Sequence, residues 1–177
     1  MKVICFGDSN TFGYDPCPWS GGRYDSDSRW VDILAAKTGW TVSNMGCNGR
    51  KIPNKESGVF EDADMLIIML GTNDLLQGQS ANQAAEKLKR FLCALSLERS
   101  RILLIAPPPL SLGDWVQNRQ LLDNSYAFSK CCHTLAEQMH IRFLDAGKWN
   151  IPLARDGVHF TQQGHKAFAA GLLEELT

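Results

Sequence analysis

Apolar residues gather in five short runs, at 3–6, 41–43, 65–70, 102–106 and 142–144, each followed by Gly, Pro, Asn or Asp. The third and fourth runs are almost unbroken, the pattern of parallel strands covered on both faces. Between them the period lengthens. In 81–98, Ala81, Ala84, Ala85, Leu88, Phe91, Leu92 and Leu95 share one helical stripe, and Leu121, Phe128, Cys132, Leu135 and Met139 form another. Trp30, Ile33 and Leu34 mark a shorter helix that Gly39 closes. Thr161 is placed to cap a last helix that turns Phe168, Leu172 and Leu176 inward. Strands alternating with helices predict an α/β protein: a three-layer α/β/α sandwich around a five-stranded parallel sheet with flavodoxin-like strand order. Neither repeat nor linker interrupts the pattern, so residues 1–177 read as one domain.

In such a sheet ligands bind beyond the carboxyl ends of the strands. There the sequence places Gly7-Asp8-Ser9-Asn10, residues 44–50, Gly71-Thr72-Asn73-Asp74, Pro107-Pro108-Pro109 and residues 145–159. Polar, chemically useful groups collect at one rim.

Composition narrows the partners. With 44% apolar residues, 21% charged residues and a formal net charge of −1, the basic groups are scattered. Nucleic acid and anionic membranes, which need clustered Lys and Arg, are disfavoured. No run approaches the ~20 apolar residues of a membrane span, and the apolar start at 3–6 is too short for a signal peptide. The expected compartment is the cytoplasm, where the six cysteines stay reduced. Cys131-Cys132-His133 is expected to act as packing, not as a metal site.

A serine hydroxyl becomes a good nucleophile only when a base removes its proton. Ser9 stands directly after a strand, although Ser9 or Asp8 could equally cap a turn there. Of four histidines, His133 and His140 belong to a helix and its end, and His165 to the last helix. His159 lies in Asp156-Gly157-Val158-His159, where one turn can fold Asp156 back onto the imidazole and fix its tautomer. The competing reading of Asp-x-x-His is a metal pair, for which no further ligands are evident, so no metal is expected. An oxyanion formed at Ser9 needs aimed donors. Asn73 ends a buried strand in a Gly-rich turn, and the glycines of Asn44-Met45-Gly46-Cys47-Asn48-Gly49 permit close backbone approach; turn formation alone also explains Asn in both places. Phe12, Trp115, Trp149, Ile151 and Phe160 flank these motifs and are candidates to line an apolar acyl or aryl pocket.

Four blocks in this order, Cys5-Phe6-Gly7-Asp8-Ser9, Asn44 through Arg50, Gly71-Thr72-Asn73-Asp74 and Asp156-Gly157-Val158-His159-Phe160-Thr161, resemble the GDSL, or SGNH, hydrolases. The resemblance runs from Ile4 to about Gly164 and implies the same α/β/α sandwich. It implies a serine esterase with a Ser9, His159, Asp156 triad. It further implies an oxyanion hole of the Ser9 and Gly49 N–H groups with the Asn73 amide, and no cofactor. Arg29-Trp30, Ile67 through Asp74, Pro107-Pro108-Pro109-Leu110 and Asp145-Ala146-Gly147 are most similar to the arylesterase and acyltransferase branch, which includes perhydrolases. Asn10 replaces the leucine of the family name, and Phe12 stands where that branch often has tryptophan. The short segments between blocks leave homo-oligomer formation and acyl transfer open. The implied partner is a small-molecule ester. The alternatives are a carbohydrate O-deacetylase using the same triad and a catalytically silent binding module on this fold. A flavin or nucleotide binder is disfavoured, because the turn after the first strand lacks a Gly-rich phosphate loop.

Overall fold

The alternation of apolar side chains along the strands divides the interior into two layers. A computed structural model describes residues 1–17, 22–54 and 60–176. In β1 (Lys2–Gly7), Ile4 and Phe6 enter one apolar cluster while Val3 and Cys5 enter another on the opposite face. The same division runs through β5 (Met65–Met69) and β6 (Ile102–Ala106), where Leu66, Ile68 and Leu104 face one way and Ile67, Met69 and Leu103 the other. Period two in a sheet buried on both faces makes the runs continuously apolar.

With β4 (Thr41–Gly46) and β7 (Arg142–Asp145), these strands form a five-stranded parallel sheet in the order β4-β1-β5-β6-β7. That is the predicted flavodoxin-like order. Helices α4 (Ala81–Ala94) and α5 (Arg119–Met139) pack together on one face, α2 (Trp30–Thr38) and α6 (Gln162–Leu176) on the other. Ser80 and Gln83 close a capping box before α4, and Asn118 caps α5. Gly39 ends α2 in the left-handed conformation, as its position predicts. Thr161 Oγ1 accepts the Gly164 N–H at 2.9 Å, the predicted cap of α6.

Five elements depart from the sequence pattern. β4 continues to Gly46 rather than ending at Ser43; it is an edge strand, so polar residues continue its ladder without an apolar signal. Helix α4 stops at Ala94, and Leu95 and Leu97 enter the core from an extended segment instead of a last helical turn. A short hairpin of β2 (Tyr14–Asp15) and β3 (Gly22–Arg23) is too small to show a period. Asn73 lies in the first turn of α3 (Thr72–Leu76), not in an irregular turn. Among the described residues, no helix is long and apolar enough to cross a membrane.

Candidate active site

The end of β1 fixes the first group. Asp8 caps the four-residue helix α1 (Ser9–Phe12), its carboxylate accepting the Asn10 N–H at 3.0 Å. Ser9 therefore begins a helix two residues beyond the strand, buried to 6% exposure. Burial raises the Asp8 carboxyl to about 6, against the lowering influence of the Asn10 N–H and of His159 and Arg50.

The second group comes from the turn before α6. Asp156 Oδ1 accepts the backbone N–H groups of Val158 at 2.8 Å and His159 at 2.9 Å, while Oδ2 meets His159 Nδ1 at 2.7 Å. Burial raises the Asp156 carboxyl, but the hydrogen bonds from the imidazole and these two N–H groups outweigh it and hold it below the usual carboxylate range. An ionised carboxylate only accepts, so Nδ1 carries the proton and Nε2 presents its lone pair. Nε2 lies 3.1 Å from Ser9 Oγ, across 150 positions of sequence. The arrangement can draw the hydroxyl proton onto the imidazole and hold the resulting charge beside a carboxylate.

What brings these distant segments together is Asn10. Its side chain donates to the Val158 carbonyl at 3.1 Å and accepts the Phe160 N–H at 2.9 Å, gripping the chain on both sides of His159. Its own carbonyl accepts Trp30 Nε1 at 2.9 Å, tying α1 to α2. The chain after β6 supports the turn from outside. Ser111, Asp114 and Trp115 donate their N–H groups to the carbonyls of Gly157, Arg155 and Asp156 at 3.0–3.1 Å. Gly157 has φ +81°, and a Cβ there would lie 2.1 Å from the Ser111 carbonyl oxygen.

On the other side, Asn73 Nδ2 donates to the Arg50 carbonyl at 3.0 Å. The neighbouring Asp74 is fully buried; it accepts the Ile52 N–H at 2.9 Å and pairs with Lys87 at 2.8 Å, fastening the chain after Arg50 to the start of α3. Arg50 itself donates to the Gly7 carbonyl at 2.9 Å and to the Met45 carbonyl, and lies over the Phe6 ring. Gly49 has φ +71° and open space where a Cβ would stand. Gly46, by contrast, is close not to a ligand but to the chain itself, since a Cβ would lie 2.0 Å from the Phe12 nitrogen.

The five candidate pocket residues separate. Trp115 lies beside the imidazole, with ring centroids 5.1 Å apart. Phe12 ends α1, with Arg23 over its ring at 4.4 Å. Phe160 is fully buried and packs with Phe168, and Trp149 sets its ring edge-to-face against Phe168 beneath α6. Ile151 packs on the same core cluster. All three pack with the apolar cluster beneath α6, Phe160 fully buried and Trp149 and Ile151 half-buried. Tyr14, outside the candidate set, lies 4.6 Å from the imidazole centroid. Two-residue strands leave no sequence signal that would place it there.

Of the other histidines, His133 and His140 are exposed, and His165, in the first turn of α6, is fully buried. Cys132 is buried as expected, but Cys131 is only half-buried. Among the described residues, no cluster of three or more His, Cys, Asp or Glu could hold a metal ion.

The profile of the GDSL-like lipase/acylhydrolase family matches residues 5–167. No curated protein matches the chain significantly in sequence. Among solved structures, the M. smegmatis aryl esterase is 23% identical with a TM-score of 0.82, covering 99% of this chain and 97% of its own. A carbohydrate acetylesterase family member from Sinorhizobium meliloti is also 23% identical, with a TM-score of 0.84 and coverage of 99% and 96%. A protein from Agrobacterium tumefaciens assigned as an arylesterase is 26% identical, with a TM-score of 0.83 and coverage of 99% and 97%. With residues 5–167 matched, the chain belongs to the GDSL-like lipase/acylhydrolase family and is an esterase-type hydrolase.

Proposed function

We propose that this protein hydrolyses short-chain acyl or aryl esters through Ser9, His159 and Asp156, by way of a covalent acyl-enzyme. The observation that carries the reading is the relay from Ser9 Oγ to His159 Nε2 at 3.1 Å and from His159 Nδ1 to Asp156 at 2.7 Å. In the first step Nε2 takes the hydroxyl proton as Oγ bonds to the ester carbonyl carbon. Charge moves to the carbonyl oxygen, held by the Ser9 and Gly49 N–H groups and the Asn73 amide. The intermediate collapses as Nε2 passes its proton to the departing alkoxide, and the alcohol leaves. Water then repeats the sequence on the acyl-enzyme, with His159 again as base, and releases the acid. Asp156 stays ionised throughout, consistent with its depressed pKa. Acyl transfer would follow the same path with another alcohol in place of water.

A carbohydrate O-deacetylase is the second reading. It is favoured by an exposed aromatic, Trp115, beside the imidazole. The likeness to a carbohydrate acetylesterase from Sinorhizobium meliloti agrees with it.

Pre-steady-state hydrolysis of p-nitrophenyl acetate tests the mechanism. A burst of nitrophenolate matching the enzyme concentration is expected from the wild type and none from Ser9→Ala; a burst that survives in the variant rejects Ser9. Steady-state rates on p-nitrophenyl esters, acetylated xylan and acetyl-sugars then divide the two readings.

A further inference from the structure

We propose that Tyr14 and Trp115 form the subsite for the departing alcohol, and that it takes an alcohol bearing a six-membered ring whose face can pack on an aromatic side chain, aryl or pyranose. The proposal rests on the Ser9–His159 reading of the site. When the C–O bond breaks, His159 Nε2 gives its proton to the ester oxygen, so that oxygen must lie within hydrogen-bond reach of Nε2. The carbonyl oxygen points elsewhere, toward the Ser9, Gly49 and Asn73 donors. Side chains packed against the imidazole therefore border the alcohol half of the ester, not the acyl half.

Two rings, from segments a hundred positions apart in sequence, flank the imidazole. Tyr14 is half-buried, its ring centroid 4.6 Å from that of the imidazole and tilted by 54°; Trp115 approaches edge-on at 5.1 Å and 81°. Trp115 is 57% exposed, yet its backbone is fixed. Its N–H is bound by the Asp156 carbonyl, and Val116 next to it is fully buried with Leu110 and Val158. A Cβ on Gly113, two residues earlier, would lie 2.4 Å from the Arg155 carbonyl oxygen, so this segment lies tightly on the catalytic turn. A large apolar ring half in water on a rigid backbone contributes little to the core. Its exposed area is open to whatever binds beside His159. Flat aromatic faces prefer other rings in stacked or edge geometry.

The test compares kcat/KM for three acetates that differ only in the alcohol: phenyl acetate, an acetylated methyl glucopyranoside and ethyl acetate. Trp115→Ala should lower the ring-to-ethyl ratio about tenfold, ~1.4 kcal/mol, and Trp115→Phe should recover most of it. Tyr14→Leu should lower the ratio in the same direction. The ring ester whose ratio falls identifies the source, aryl or sugar. The phenyl acetate to phenyl butyrate ratio should stay constant in every variant, and Tyr126→Ala, which removes an exposed aromatic elsewhere, should leave all ratios unchanged. An unchanged ring-to-ethyl ratio in both Trp115→Ala and Tyr14→Leu overturns the proposal. So does a change confined to the acetate-to-butyrate ratio, which would put the rings on the acyl side. Turnover of these esters by Ser9→Ala would instead defeat the underlying mechanism, a separate result.

Discussion

Replacing Asn10 by leucine restores the residue for which the family is named and removes a clamp that this chain has built in its place. The amide makes two bonds in a site that is 3% exposed, one to the Val158 carbonyl and one from the Phe160 N–H. Leucine has nearly the same volume, so cavity formation is a small part of the effect. The loss is two buried backbone groups left without partners, each costing about 1–3 kcal/mol, partly offset by the greater apolarity of leucine. A net ~2–4 kcal/mol in a chain of this size lowers Tm by about 5–15 °C. Activity should fall as well, because His159 sits between the two gripped residues, and displacement of a catalytic group by ~1 Å costs about 10²-fold. The bonds of Asn10's own backbone, to Asp8 and to Trp30, survive the substitution, so the effect isolates the side chain. Scanning calorimetry gives the stability term, and kcat on p-nitrophenyl acetate gives the positional term. A variant with wild-type Tm and wild-type kcat would refute the clamp.

Three further outcomes follow from the same geometry. His165 is fully buried, and neither ring nitrogen has a hydrogen-bond partner among the described residues; burial lowers its pKa to about 4. The unfolded chain then takes up this proton near pH 6.5 while the fold resists it, so stability falls with pH below that value. The loss is about 2–3 kcal/mol between pH 7 and pH 4.5, and His165→Leu should flatten the decline seen in urea denaturation; parallel declines would remove His165 from the account. Asn73→Ala should lower kcat by roughly 10²–10³ if its amide joins the oxyanion hole, and near-normal kcat would exclude it. Gly157→Ala forces a Cβ onto the Ser111 carbonyl at a left-handed position and should destabilise by about 2 kcal/mol or more; unaltered thermal unfolding would contradict that.

The sheet was legible because its inner strands are buried on both faces, which leaves continuous apolar runs and little choice of class. The extension of edge strand β4 from Ser43 to Gly46 and the β2–β3 hairpin were not, since polar edge residues and two-residue strands carry no such run. Ser9 stood out as a candidate because it follows the end of β1, where α/β sheets gather ligands, and Asp156 and His159 because they share one short motif in the turn before α6. The surroundings of the imidazole were less legible. Trp149, Ile151 and Phe160 neighbour the Asp156–His159 turn in sequence but serve the core beneath α6. Tyr14 and the grip of Asn10 arise where segments of opposite chain ends meet, a relation that local patterns do not encode. Asn10 was visible as a departure from the family motif; its two bonds supply the physical meaning of that departure.

The central claim is that His159 makes the Ser9 hydroxyl, and no other, the nucleophile. Treating the folded protein with a fluorophosphonate and mapping the adduct by peptide mass spectrometry tests it most directly. One phosphonyl group on Ser9 is the expected result, with labelling lost in Ser9→Ala and strongly slowed in His159→Ala. An adduct on another residue, or labelling that persists at the wild-type rate without His159, would contradict it.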